Sequence, residues 1–110
     1  MALKIHRVAD ELIDSLAGIV KEVQQHDSDL ARQLRRAAQS VPLNIAEGEK
    51  LGRNGNQRIH FERAAGSLGE TRSALRVAAS WGYVDRRAVQ RSDRIADSLA
   101  AMLWRLTHPR

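Results

Sequence analysis

Apolar side chains return every three or four residues through four long stretches of this chain, and short polar or glycine-bearing segments separate the stretches. That period marks helices with one face turned to a core, and no segment alternates with the period of two that a half-buried strand needs. The first stretch predicts a helix from about Leu3 to Gln25, with Ile5, Val8, Leu12, Leu16, Ile19 and Val23 on one face. His26, Asp27 and Ser28 form the turn after it, and Asp27 or Ser28 can cap the next helix.

The second helix is predicted from about Asp29 to Leu51, with Leu30, Leu34, Val41 and Ile45 on its stripe. Pro42 lies inside it. Proline has no N–H to bond the carbonyl of Ala38 and its ring crowds that carbonyl, so the helix must bend or break there. The stripe keeps its phase across Pro42, which favours one bent helix over two helices with Ser40 capping the second. Gly52, Asn54, Gly55 and Asn56 then signal a loop.

A third helix follows from about Gln57 to Trp81, with Phe61, Ala65, Leu68, Leu75 and Ala79 inward and Gly82 ending it. Ala64, Ala65, Gly66, Ser67 and Gly69 cluster small side chains in mid-helix, where each glycine costs roughly 1 kcal/mol relative to alanine. A close approach of another helix is the simplest compensation. Asp85 can cap a fourth helix with Ala88, Ile95, Leu99, Met102, Leu103 and Leu106 inward, until Pro109 stops it. Helices of about 20–25 residues are roughly 30–38 Å long, and their short connectors imply antiparallel neighbours. The expected fold is all-α, an up-down-up-down four-helix bundle forming one domain over residues 1–110.

Composition narrows the class. At 110 residues, 43% hydrophobic and 28% charged, the chain can bury a real core and lies far from disordered compositions. Its apolar stretches are interrupted by charges and none reaches the roughly 20 residues needed to span a bilayer. Lys4 and Arg7, leading into Asp10, Glu11 and Asp14, leave no apolar core for a secretory signal. The absence of cysteine suits a reducing cytoplasm, the expected location. A bundle whose core is poor in aromatics is narrow, which leaves apolar surface for partner subunits.

Charge adds a direction. Residues 1–49 hold 6 Lys and Arg against 8 Asp and Glu, a balance of −2, and residues 50–110 hold 12 against 5, a balance of +7. A basic surface concentrates polyanions, so RNA or DNA is a candidate partner; an arginine-rich but merely solvated helix surface is the plain alternative. Arg87, Arg91 and Arg94 recur at spacings of four and three on the fourth helix, with Arg86 beside them. Arg72 and Arg76 pair on the third helix, and Lys50, Arg53 and Arg58 surround the second loop. Guanidinium forks grip phosphate oxygens in a bidentate way. Asp93 and Asp97 lie on the same helix as the stripe, and a mixed solvated face is the commoner outcome. Phe61 is expected inward, and Trp81, Tyr83 and Trp104 near helix ends or interfaces. Backbone contact is therefore expected over base stacking.

Catalytic and metal motifs are missing from the sequence. His6, His26, His60 and His108 are never three or four residues apart, and the Glu-x-x-His pairs of metal-holding bundles are replaced by Glu47 with Lys50 and Glu70 with Ser73. No nucleophile elbow, phosphate-cradling loop or dinucleotide turn occurs, so no cofactor is expected. A polar row of Arg36, Ser40, Asn44 and Glu47 does share one face of the second helix, and Ser67 with Glu70 offers a similar pair on the third. With no nucleophile and base together, a hydrogen-bonded network fixing helix register is expected in preference to a catalytic pocket built on Glu47 and Glu70.

The run from Gln33 to Gly48, which contains Arg35-Arg36-Ala37 and Pro42-Leu43-Asn44-Ile45-Ala46-Glu47-Gly48, resembles the signature of a bacterial four-helix bundle family first noted as proteins encoded in intervening sequences of 23S rRNA genes. Ala65-Gly66-Ser67 with Glu70, between Phe61 and Glu70, and Gly82-Tyr83 after the third helix agree with it. The resemblance implies an all-α bundle. Family members are similar to accessory proteins of diversity-generating retroelements, which form ring-shaped homopentamers and bind nucleic acid, and the resemblance implies no enzymatic activity. Where the family usually has a larger apolar pair, this chain has Glu62-Arg63-Ala64, so its third helix is more charged. The expectation is a non-enzymatic homo-oligomer, a pentamer by this kinship, that binds nucleic acid. The alternative is a protein-interaction scaffold, such as the accessory partner of a reverse transcriptase.

Overall fold

The computed structural model describes residues 2–52 and 56–109, and the sequence pattern takes shape in it as four helices: α1 (Ala2–His26), α2 (Ser28–Leu51), α3 (Gln57–Ser80) and α4 (Arg86–Thr107). They form an all-α four-helix bundle with no strand among the described residues. α2 runs as one helix through Pro42.

Local chemistry sets the helix ends. Asp27 alone separates α1 from α2: its N–H closes α1 on the Val23 carbonyl at 2.8 Å, and its carboxylate accepts the Leu30 N–H at 3.0 Å to cap α2. Asp85 caps α4 in the same way through the Arg87 N–H at 2.9 Å. At the end of α3, Gly82 takes φ 79°, and the N–H groups of Tyr83 and Gly82 return to the carbonyls of Ala78 and Ala79 at 2.9 and 3.0 Å. This is a Schellman closure, which needs a residue able to adopt positive φ. Tyr83, held there, stacks on His26 with ring centres 5.1 Å apart, which ties the end of α1 to the α3–α4 connection.

α1 packs on α2 and α4, and α3 packs on α2 and α4, so the α1–α2 and α3–α4 pairs form opposite walls. Between them lies one apolar cluster that includes Leu12, Leu16, Leu34, Ile45, Leu68, Leu99 and Leu103, all essentially fully buried. Each such side chain contributes about 1.5–3 kcal/mol by leaving water. The α2–α3 contact has a readable register: Ser67 meets Ser40, His60 meets Asn44, and Gln57 meets Gly48, so residue numbers rise along one helix as they fall along the other.

Several inward positions differ from those the pattern predicts. Ala64 is buried and Ala65 exposed, because two adjacent alanines give the period no means to choose between them. On α4 the buried stripe is Ser92, Ala96, Leu99, Leu103 and Thr107, while Ala88 and Leu106 are exposed and Ile95 and Met102 half-buried. Two polar residues are admitted there because their hydroxyls are satisfied: Ser92 bonds Ser15 of α1 at 2.7 Å, and Thr107 donates to the Leu103 carbonyl at 2.9 Å. Val8 is half-buried and Ala9 takes the core position. The small residues of α3 divide: Ala64 is buried and Ser67 meets Ser40 of α2, whereas Gly66 and Gly69 face open space.

Gly48 is the glycine that close packing requires. A Cβ there would come within 2.8 Å of the Phe61 ring and 3.3 Å of the Gln57 carbonyl. Gly48→Ala should destabilise the protein by about 1–2 kcal/mol after its helix-propensity gain, whereas Gly69→Ala, which meets nothing, should stabilise it by about 0.5–1 kcal/mol. Paired thermal melts check this: transitions moving in the same direction would contradict the packing described.

Candidate nucleic-acid interface

Along α4, the side opposite the buried Ser92, Ala96 and Leu99 carries Arg87, Arg91 and Arg94, all exposed. Spanning seven residues, the row extends about 10 Å at 1.5 Å per residue. Arg86 and Arg94 turn toward a groove of about 550 Å³ between α3 and α4, whose other cationic residues are Arg72 and Arg76. Arg86 and Arg87 occupy the first turn of α4, where no acidic side chain is present and Asp85 is the cap. Their charge adds to the positive end of the helix dipole and does not offset it. Positive potential is therefore concentrated at this end of the α3–α4 wall.

The arginines of the groove are not equivalent. Arg72 is three-quarters buried and held by two carboxylates of α4, Asp97 at 2.8 Å and Asp93 at 3.1 Å. Burial disfavours its charge, but the hydrogen bond and attraction to Asp97, together with Asp93, outweigh burial and hold its pKa above the ordinary guanidinium value. Arg72 is a tether between α3 and α4, already matched in charge. Among the described residues, Arg76 makes only a neutral bond, to Ser73 Oγ at 3.1 Å. Lys50 and Arg58 are exposed but lie elsewhere. Arg58 pairs with Glu62 at 3.6 Å and stands 18 residues before Arg76, about 27 Å along α3. Arg53 falls outside the described residues.

The polar row of α2 divides. Ser40 and Asn44 join Ser67 of α3 in a continuous network: Asn44 Nδ2 donates to the Ser40 carbonyl and Oγ at 2.9 Å, and Ser67 Oγ donates to Ser40 Oγ at 2.8 Å. His60, which the sequence pattern did not single out, completes it through Asn44 Oδ1 at 3.1 Å, and buried Thr71 donates to the Ser67 carbonyl at 2.8 Å. His60 precedes Ser67 by seven residues, two turns, and so shares its face; that spacing was the available signal. Arg36, Glu47 and Glu70 point to solvent outside this network. From the Ser40–Ser67 contact, Glu47 lies seven residues toward one end of the bundle and Glu70 three toward the other. That separation is about 15 Å, too far for two carboxylates to act on one bond. His6 and Glu49 pair between α1 and α2. No group of three or more His, Asp or Glu able to hold a metal occurs among the described residues, and no helix there is long and apolar enough to cross a membrane.

Fold and surface together define a four-helix bundle with a register-setting polar network inside and a basic wall outside. The model of the 23S rRNA-intervening sequence proteins matches residues 1–105, and the chain belongs to that family. A crystal structure of a protein of unknown function from the S23 ribosomal protein family of Bacteroides thetaiotaomicron VPI-5482, at 1.70 Å resolution, is similar over 94% of this chain and 97% of its own, with a TM-score of 0.85 and 15% identity. That likeness shows the fold. No curated protein matches the chain. Neither the family nor the solved structure indicates an enzymatic class.

The tether gives a test of the wall's electrostatics. Replacing Asp93 and Asp97 by Asn frees Arg72 and removes two negative charges, so the variant should elute from phosphocellulose at higher salt. Its thermal stability should fall by no more than about 1 kcal/mol. Unchanged elution would mean that these arginines do not meet the matrix phosphates.

Proposed function

We propose that this chain is a non-enzymatic, homo-oligomeric protein of the cytoplasm that binds nucleic acid through its α3–α4 wall. The observation that carries the reading is the exposed row of Arg87, Arg91 and Arg94, flanked by Arg86 and Arg76 over the groove and without carboxylate partners within 4.0 Å among the described residues. Duplex DNA presents about one negative charge per 1.7 Å, and a row of guanidinium groups about 10 Å long meets several of these at once. Assembly supports the same function, because copies arranged in a ring present the wall repeatedly and gain by avidity. Exposed apolar residues favour assembly: Leu43 is 65% exposed and Trp81 70%. The proposed closed state is a pentamer of the 12.3 kDa chain.

Binding should weaken steeply with salt. Changing Arg87, Arg91 and Arg94 together to Glu should lower the slope of log affinity against log salt by about 3, one for each phosphate no longer neutralised. Affinity undetectable at low salt, or a slope unchanged in the triple variant, would refute the basic-wall reading. Light scattering at the same protein concentration should return about five times the chain mass. A second reading, a scaffold for another protein such as a reverse transcriptase, draws on Leu43, an apolar residue of α2 away from the arginines. Recovery of one stoichiometric protein partner after nuclease digestion would favour that reading over nucleic-acid binding.

A further inference from the structure

The groove between α3 and α4 continues past Arg72 toward the far end of the wall, where its character changes. There Ala65 and Gly69 of α3 face Trp104 of α4 across a second cavity of about 380 Å³, with Arg72 at its inner end. Trp104 stacks on His108, with ring centres 4.3 Å apart and planes 11° from parallel, yet it is 60% exposed. The stacked pair lines the cavity together, and most of the indole's surface stays exposed beside it. Opposite it, the α3 backbone carries almost nothing, since a Cβ at Gly69 would meet no atom within 4 Å. A flat, pre-oriented aromatic face beside an empty slot admits a flat ring.

We infer that this slot stacks an unpaired base on Trp104, so that the nucleic acid this wall takes is single-stranded. The inference rests on the nucleic-acid reading of the α3–α4 wall and narrows it. Three features fit one path for a strand. Trp104 lies ten residues beyond Arg94 on α4, about 15 Å along the same groove, which leaves the backbone on the arginines while a base reaches the indole. His108 holds the indole before any ligand arrives, so less side-chain freedom is lost on stacking. Around the slot the charges are already matched, Arg72 by Asp93 and Asp97 and Glu62 by Arg58, so the backbone is drawn to Arg76, Arg86 and Arg94 and the slot is left to the base. A duplex keeps its bases paired inside the helix and uses the arginines alone. Sequence selectivity is expected to be weak, because stacking reads a π-face that every base has.

Trp81 and Trp104 are the two tryptophans of the chain, so the Trp81→Phe protein reports on Trp104 alone. Its fluorescence should be quenched by an oligo-dT or oligo-U strand of about ten nucleotides and not by a DNA duplex of similar length. The tighter of the two strands identifies the sugar. In the wild-type background, Trp104→Ala should weaken strand binding at least about fivefold and leave duplex binding within about twofold. Gly69→Leu, which fills the slot while keeping the indole and the charge, should do the same. Both variants should melt with intact cooperativity, since both positions are exposed and outside the core. If the strand and the duplex both bind but Trp104 is silent and both variants are neutral, the slot is wrong and the basic wall stands. If neither probe binds, wall and slot fall together. A change in oligomeric mass for Trp104→Ala would assign the indole to a subunit contact and overturn the inference.

Discussion

The outer surface of α3, and everything attributed to it, depends on how α3 is seated against α2. Gly48 removes a side chain where the Phe61 ring lies against α2. Beginning one turn away, the Ser67–Ser40–Asn44–His60 network accepts only one axial position, because a slip would leave part-buried hydroxyl, amide and imidazole groups without partners. Apolar packing alone is tolerant of small rotations; a steric notch combined with a polar network is not. A turn of α3 by one residue, about 100°, would take Arg72 and Arg76 out of the groove and break the tether to Asp93 and Asp97. The position of the basic wall is therefore decided in the interior.

The same logic explains the polar residues of the core. Thr71 and Thr107 return their hydroxyls to carbonyls one turn back, and Ser92 shares a bond with Ser15 across α1 and α4. Each is satisfied locally or by one partner, so burial carries little penalty while the position stays narrow. No buried side-chain polar atom among the described residues is left without a partner.

Much of this is legible in the sequence, and the misses have identifiable causes. Large residues such as Leu12, Leu34 and Leu99 announce the core face because placing them elsewhere would cost so much. Alanine gives no such signal: Ala64 and Ala65, or Ala88 and Ala96, differ too little in transfer energy for spacing to separate them. Ser92 and Thr107 escape a one-dimensional pattern, which excludes polar residues, whereas a three-dimensional one asks only for a partner. At the wall, the spacing of Arg87, Arg91 and Arg94 places them on one helix face, and capping chemistry points to Asp85 and narrows the α2 cap to Asp27 or Ser28, of which Asp27 makes the bond. That Arg72 is consumed by Asp93 and Asp97, or that Arg58 lies far from the stripe, follows from helix pairing, which the chain states only indirectly. The exposure of Trp104 beside Gly69 has the same origin.

Placing α1 with α2 and α3 with α4 on opposite walls also sets the far field of the molecule. The division between −2 and +7 falls within a residue or two of the α2–α3 connection, so the two walls differ in charge across the 19–22 Å width of the bundle. The protein carries a transverse electric dipole. In the field of a polyanion such a body experiences a torque before it experiences contact, and it arrives with its arginines leading. Rotational search, which ordinarily removes orders of magnitude from an encounter rate, is shortened by the order in which four helices follow one another in the chain.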